Sequence, residues 1–431
     1  MRPPFLYQLY TAASVVLVPI FAWIETRKLR RAGFSVARAH EKLGHATEPR
    51  MGSGPLIWFH AASVGESMSV LALIAEIGRI VPRAQFLITS GTATSAQMIA
   101  DRLPPRTVHQ FAPLDSPGPV ARFLDHWRPN GAVFVESELW PQMLRRTHET
   151  GARLILVNAR LSTSSQAAWA RRPKTAAFVL GSFDLILTQN DEMAEAMVAM
   201  HAPADRVARG INLKALSAPL THDPAVLAPV RTALKGRPVW VAASTHKGEE
   251  EIVLGAHLSL RKSHPDLLLL LVPRHPTRSE EVARLIEQRG LSYKKRSDGA
   301  LPDNCAVYLA DTLGELGNWY ALTEAIFLGG SLKPIGGHNP YEVAQAGTGV
   351  ISGTEVFNFS ETYAEMTQNG AALLIADQSE LADSVHQLLS DRTVAESAGR
   401  AARNFVRSKS TFLTTIAERL ARALKLEIPG R

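Results

Sequence analysis

The sequence contains a single cysteine, Cys305, so no intramolecular disulfide can form and the chain fits a reducing compartment. No partner histidine is identifiable near it, which speaks against a thiolate nucleophile. Aromatic residues are sparse, at 7%, and are not interleaved with the basic runs. With no zinc-finger spacing and no RNA-binding signature, nucleic acid is not an expected partner. No Gly-x-Gly-x-x-Gly fingerprint follows the first predicted strand, which argues against a nicotinamide-dependent oxidoreductase. There is also no Asp-x-Asp motif and no internal repeat at a fixed period.

The 431 residues are too many for one compact core and imply two domains. A hydrophobic fraction of 46% with 20% charged residues is that of a globular protein. The formal net charge of +7 favours anionic partners without choosing among phosphates, lipid headgroups and other polyanions. Residues 5–24 carry no charge, a length sufficient to cross a bilayer as a helix, and Arg27, Lys28, Arg30 and Arg31 follow at once. Tyr7, Tyr10 and Trp23 lie near the two ends, where rings favour the membrane interface. A cleavable signal would carry its charges on the other flank, and no A-x-A site follows. Residues 1–26 are therefore expected to form a membrane anchor with the rest of the chain cytoplasmic, a buried core helix being the alternative.

Beyond this segment, short apolar runs alternate with amphipathic stretches. Strands are predicted at 56–60, 85–89, 131–136, 153–158 and 184–188, and again at 239–243, 267–272, 306–309, 325–328 and 349–352. Such alternation implies parallel sheets covered by helices on both faces. Proline-rich residues 217–238 read as a linker or boundary, and 393–425 as one or two helices. The expected domains are thus 27–216 and 217–431. Doubly wound sheets present functional loops at the carboxyl ends of their strands, and the sequence concentrates polar motifs there.

His60-Ala61-Ala62-Ser63-Val64-Gly65-Glu66 closes the first strand. Ser63 and Glu66 have capping-box spacing, so Glu66 is either a helix cap or a general base at a helix start. Glu136-Ser137-Glu138-Leu139-Trp140-Pro141 closes another, with two acids close enough to raise one pKa and a proline suited to opening a helix. Pro273-Arg274-His275-Pro276 offers an arginine for phosphate, or a surface ion pair. Gly329-Gly330-Ser331 and Gly336-Gly337-His338-Asn339-Pro340-Tyr341-Glu342 form a glycine-rich loop running into a helix, with Asn339 as predicted N-cap and Pro340 in its first position. Glu342 would complete a capping box or accept hydrogen bonds from ribose hydroxyls. Ser244-Thr245-His246-Lys247-Gly248-Glu249-Glu250 and Asn158-Ala159-Arg160-Leu161-Ser162 also follow strands and serve as loops for ligands or as caps.

Together these motifs resemble the bacterial Kdo (3-deoxy-D-manno-octulosonic acid) transferase family. The similar stretches are HAASVGE, ESELWP, NARLS, STHKGEE, PRHP, DTLGEL and GGSLKPIGGHNPYE, in the family's order and across nearly the whole chain. The resemblance implies an α/β GT-B fold, two doubly wound Rossmann-like domains facing across a cleft, with acceptor bound by the first and CMP by the second. It places Glu66 at the family's proton-accepting position, and Glu136 and Lys214 at positions that stabilise the transition state. The segment Gly210-Ile211-Asn212-Leu213-Lys214 is one residue longer than the family pattern. Pro273, Arg274, Leu313, Gly314, Glu315, Asn339, Pro340, Tyr341 and Glu342 match the CMP-binding segments. The implied reaction is inverting transfer of Kdo from CMP-Kdo to a lipid A precursor (lipid IVA), at the cytoplasmic face of the inner membrane and against its lipids. A monophosphate leaving group and the missing Asp-x-Asp motif together imply that neither metal nor cofactor is required. The rival readings are a GT-B transferase with a UDP- or GDP-sugar donor, and a non-catalytic membrane-bound nucleotide-sugar binder.

Overall fold

The computed structural model describes residues 2–50, 52–210, 212–213 and 219–429. The chain divides into two compact units, Met1–Ser217 with Ser410–Arg431, and Ala218–Lys409. Each is built on a seven-stranded, wholly parallel sheet.

The first sheet comprises β1 (Leu56–His60), β2 (Gln85–Ser90), β3 (Thr107–Phe111), β4 (Gly131–Val135), β5 (Arg153–Ala159), β6 (Leu185–Thr188) and β7 (Val207–Arg209), in the order β3-β2-β1-β4-β5-β6-β7. Its central strands read as continuous apolar runs because both faces are covered. Successive residues of β1 serve opposite cores: Leu56 and Trp58 belong to one, Ile57 and Phe59 to the other, all without solvent contact.

The second sheet comprises β8 (Val239–Thr245), β9 (Leu268–Pro273), β10 (Tyr293–Lys295), β11 (Val307–Leu309), β12 (Ile326–Leu328), β13 (Val350–Gly353) and β14 (Ala372–Ile375), in the order β10-β11-β9-β8-β12-β13-β14. The predicted strands appear with ends shifted by a residue or two. Absent from the prediction were β3, β7, β10 and β14, which are the edges of the two sheets.

Two stretches differ from the sequence expectation. Residues 217–238 include a helix, Pro224–Leu234, capped by the Asp223 side chain and packed through Leu227, Val230 and Leu234. The terminal stretch, expected as one or two helices of the second domain, is one helix, Arg392–Ala423, and what differs is that its end belongs to the first unit. The reason is apolar: Ile416, Ala417, Leu420, Ala421 and Leu424 complete the core beneath the first sheet.

Helix Phe5–Arg31 is long and apolar enough to cross a membrane, with a mean hydropathy of 1.7 over its most apolar window. Its large side chains, among them Phe5, Val16 and Trp23, are exposed. A buried core helix, the alternative reading, is not what the structure shows.

Candidate active site

In the first unit the chain runs outward from β1 to β2 and β3, then returns to β4 on the other side of β1. Loops leaving β1 and β4 therefore diverge, opening a crevice at their carboxyl ends. His60 is paired with Phe134 across that junction, which sets the HAASVGE and ESELWP motifs side by side.

Glu66 lies in the first turn of helix Val64–Ile80. Ser63 caps this helix, its Oγ accepting from the Glu66 N–H at 3.3 Å and donating to Glu66 Oε1 at 2.9 Å, while the Ala62 N–H donates to Oε2 at 2.9 Å. The capping geometry foreseen from spacing is thus present, and it orients the carboxylate. Burial pushes the Glu66 carboxyl up, the charges of Glu138 and Glu136 add to this, and the bonds from Ser63 and Ala62 oppose it. A half-buried carboxylate of raised basicity is the type of group that takes a proton from a hydroxyl.

Glu138 behaves oppositely. Burial alone would raise its carboxyl, but it sits below the usual range because His60 Nε2 lies 3.1 Å away and the Trp140 N–H also donates to it. His60 is itself held through Nδ1, 2.9 Å from Thr89 Oγ1. Glu66 and Glu138 are thus pushed in opposite directions.

Glu136 and Asn158 end adjacent strands, both in the left-handed region with φ of 54° and 53°. Such backbone is costly for residues with a Cβ and concentrates at functional sites. The Asn158 amide donates to Glu136 Oε1 at 3.1 Å, and its Oδ1 accepts from the Leu213 N–H at 3.4 Å. Lys214 lies outside the described residues.

The second unit repeats this logic at β8 and β12, its own switch point. Ser244, near the end of β8, is left-handed with φ of 56°. Glu249 is fully buried, and its carboxylate accepts the N–H groups of His246 (2.9 Å), Gly330 (2.7 Å), Ser331 (2.9 Å) and Leu332 (2.9 Å). One side chain thereby clasps the two loops that leave β8 and β12. Gly330 has φ of 69°, and a Cβ there would come within 2.9 Å of the His338 ring. That ring meets His246, Nε2 to Nε2, at 2.9 Å. Burial and the nearby His246 and Arg274 pull His338 down to about 4, so it is neutral at physiological pH.

Pro273 ends β9, and Arg274 follows, exposed, its N–H bonded to the Thr245 carbonyl at 3.0 Å. Among the described residues its guanidinium makes no ion pair. Burial raises the Glu342 carboxyl, opposed by the Asn339 amide at 3.4 Å and by the charge of Arg274. Arg274 and the 339–342 segment are therefore electrostatic neighbours. The helix start differs by one residue from expectation: Pro340 takes the cap position, and helix Tyr341–Gln345 follows, with Asn339 Oδ1 accepting from the Tyr341 N–H at 3.2 Å. With so few aligned peptide units the helix contributes little dipole.

Leu313, Gly314 and Glu315 follow β11, which pairs with β9. Leu313 is exposed and Gly314 is left-handed, whereas Glu315 is gripped by both prongs of Arg296 and by the Thr312 hydroxyl. Sequence reasoning had not singled out Glu249, His60 or the His246–His338 pair as site residues. All four occur in the quoted motifs, but their roles depend on contacts across strands that spacing does not reveal.

Solved structures place this architecture in the GT-B class. A glycosyltransferase from Rickettsia africae superposes with a TM-score of 0.58 at 14% identity, covering 87% of this chain and 100% of its own. A putative UDP-N-acetylglucosamine 2-epimerase from Listeria monocytogenes gives 0.58 at 13% identity, over 88% and 99%. The fold is that of GT-B glycosyltransferases and their epimerase relatives.

Sequence similarity narrows the class. Residues 37–217 match the family model described as 3-deoxy-D-manno-octulosonic-acid transferase (kdotransferase). A probable mitochondrial 3-deoxy-D-manno-octulosonic acid transferase of Arabidopsis thaliana is 33% identical over 95% of this chain and 94% of its own length. The 3-deoxy-D-manno-octulosonic acid transferase of Bordetella pertussis is 33% identical over 91% and 94%. The chain belongs to the Kdo transferase family, and is a glycosyltransferase.

Proposed function

We propose that this protein transfers Kdo from CMP-Kdo to a hydroxyl of a lipid A precursor, with Glu66 as general base. The observation that carries the reading is the Glu66 carboxylate itself: oriented by Ser63 and Ala62, half-buried at a strand-end crevice, and raised in basicity by burial beside Glu138 and Glu136. Glu66 removes the acceptor proton as the oxygen attacks the anomeric carbon of Kdo, and the bond to the CMP phosphate breaks with inversion. Positive charge develops on the sugar ring, which Glu136 stabilises from its fixed position beside Asn158. Lys214 shares in stabilising the transition state by family correspondence.

The leaving phosphate gathers negative charge, which Arg274 receives in two-pronged fashion. Pro273, the 313–315 loop and residues 339–342 form the rest of the CMP site, with Glu342 accepting from ribose hydroxyls. A monophosphate carries less charge than a diphosphate, so turnover continues in excess EDTA. The reaction takes place at the cytoplasmic face of the inner membrane, where the lipid acceptor resides.

The decisive experiment incubates the protein with CMP-Kdo and tetraacylated lipid A precursor and reads product masses. A product heavier by one or more Kdo units supports the assignment. Transfer from a UDP-sugar instead, or CMP binding without any product, sinks it.

A further inference from the structure

A helix that crosses a bilayer alone is apolar on every side, since every side meets lipid. Helix Phe5–Arg31 carries Tyr10 and Thr11 hydroxyls that bond to its own globular unit. Tyr7, Thr11, Ser14 and Val18 are half-buried and Ala22 and Leu29 buried, and these six recur at helical spacing. This stripe includes hydroxyls, and it faces the helix's own domain.

The contacts run to both ends. Near the start, the Tyr10 hydroxyl donates to Asp115 Oδ2 at 2.7 Å, the Gln142 amide donates to Thr11 Oγ1 at 2.6 Å, and the Tyr7 ring stands edge-on to Phe178 at 4.9 Å. Asp115 in turn accepts the N–H groups of Gln142 and Met143 at the start of helix Pro141–Glu149, directly after Trp140. Near the end, Leu29 is buried with Ala39, Ala96 and Phe111. From Tyr7 to Leu29 the helix covers about 33 Å at 1.5 Å per residue, and both ends rest on one globular unit.

The opposite face carries Phe5 (75% exposed), Leu9 (54%), Val16 (74%), Ile20 (56%) and Trp23 (62%). Exposed cations flank this apolar strip at both ends. Arg172 lines the same apolar hollow as Leu6 and Leu9, and Arg27 and Arg31 follow Trp23. Cations at both ends of an exposed apolar strip complement anionic headgroups around an acyl layer.

We propose that helix Phe5–Arg31 lies in the plane of a single leaflet of an anionic bilayer, its outer face among the acyl chains and its inner stripe on its own domain, and that it does not span the membrane. The anchor then serves as a dock tied through Asp115 to the helix that follows the Glu138–Trp140 loop. This rests on the membrane reading given above but not on the identity of donor or acceptor.

Single-cysteine chains in a Cys305→Ala background test it, with the label at Leu9→Cys, Val16→Cys or Trp23→Cys. These positions are spaced by 7 residues and share one exposed face. Lipids quenching at graded depths should place all three labels at the same shallow level. A helix that spans would separate the first and last by about 20 Å along the bilayer normal. In a second arm, Arg2→Cys should be modified by a membrane-impermeant maleimide in inverted vesicles and protected in intact spheroplasts. Labelling from the outside, or graded depths, would overturn the in-plane arrangement while leaving membrane attachment intact. Recovery of the protein in the soluble fraction, with all three labels unquenched, would overturn both.

Discussion

His60 Nε2 and Glu138 Oε2 are 3.1 Å apart, and this contact keeps a buried carboxylate charged beside Glu66. The charge so maintained raises Glu66, after burial the largest contribution. Glu66 works as a base only when ionised, so kcat/KM should fall on the acid side with a midpoint above the ordinary carboxylate value of about 4.3. In Glu138→Gln one source of the elevation is gone, and the acid limb should move to lower pH. An unmoved limb would separate Glu66 from the titration that governs turnover.

Glu66→Gln should lower kcat by at least about a hundredfold while CMP affinity is retained. Because folding raises the Glu66 pKa, the native state binds that proton more tightly than the unfolded chain. Keeping Glu66 ionised at neutral pH therefore works against stability, and that cost shrinks as pH falls through the folded pKa. The neutral amide should consequently unfold at an equal or higher temperature than the parent at pH 7, the opposition of stability and activity common at active sites. Calorimetry alongside a turnover assay would show both. Glu138, held below its usual range, has the reverse sign: its stabilisation is present above the unfolded value and lost as pH falls through the folded one.

Arg274→Ala should weaken CMP binding by roughly ten- to a hundredfold, the worth of a charge-assisted, two-pronged phosphate contact. Arg274→Lys should recover only part of this, since an ammonium cannot make the paired contact. Titration calorimetry of both variants with CMP, and with cytidine as a control lacking phosphate, resolves the point. Equal losses for CMP and cytidine would count against a phosphate role.

Replacing Glu249 by alanine orphans four backbone N–H donors, those of Gly330 and Ser331 buried. The cost should be about 3–5 kcal/mol by denaturant unfolding. Glu249→Gln should fall between, because an amide offers one acceptor oxygen where the carboxylate offers two. Nucleotide binding should weaken in both, as the loops after β8 and β12 lose their common clasp.

The sequence made the central strands of both sheets readable and the edges not, for one reason. β1, β4, β8 and β9 are covered on both faces, and their residues are uniformly buried and apolar apart from His60, Ser244 and Thr245 at the strand ends. β7 and β10 are only partly buried along their short lengths, and Arg209, Lys294 and Lys295 break the apolar signal there. Among the strand-end motifs, spacing alone left Glu66 poised between cap and base, and the capping contact it foresaw with Ser63 is present, with a further one from the Ala62 N–H. The clasp by Glu249 was not legible, since it joins residues more than 80 positions apart. Nor was the return of the last helix, which reads as generic amphipathic sequence until the core it completes is known.

That return makes the second unit an insertion in the first, entering after Ser217 and leaving before Ser410. A stop codon at the end of the second unit would therefore spare its host nothing: it deletes Leu424, whose side chain fills the space against Gly131 on β4. An excised amino-terminal fragment should aggregate unless the last twenty-odd residues are grafted back or supplied as a separate peptide. The inserted unit, by contrast, carries its own sheet and core between its two junctions, and is the part to express alone.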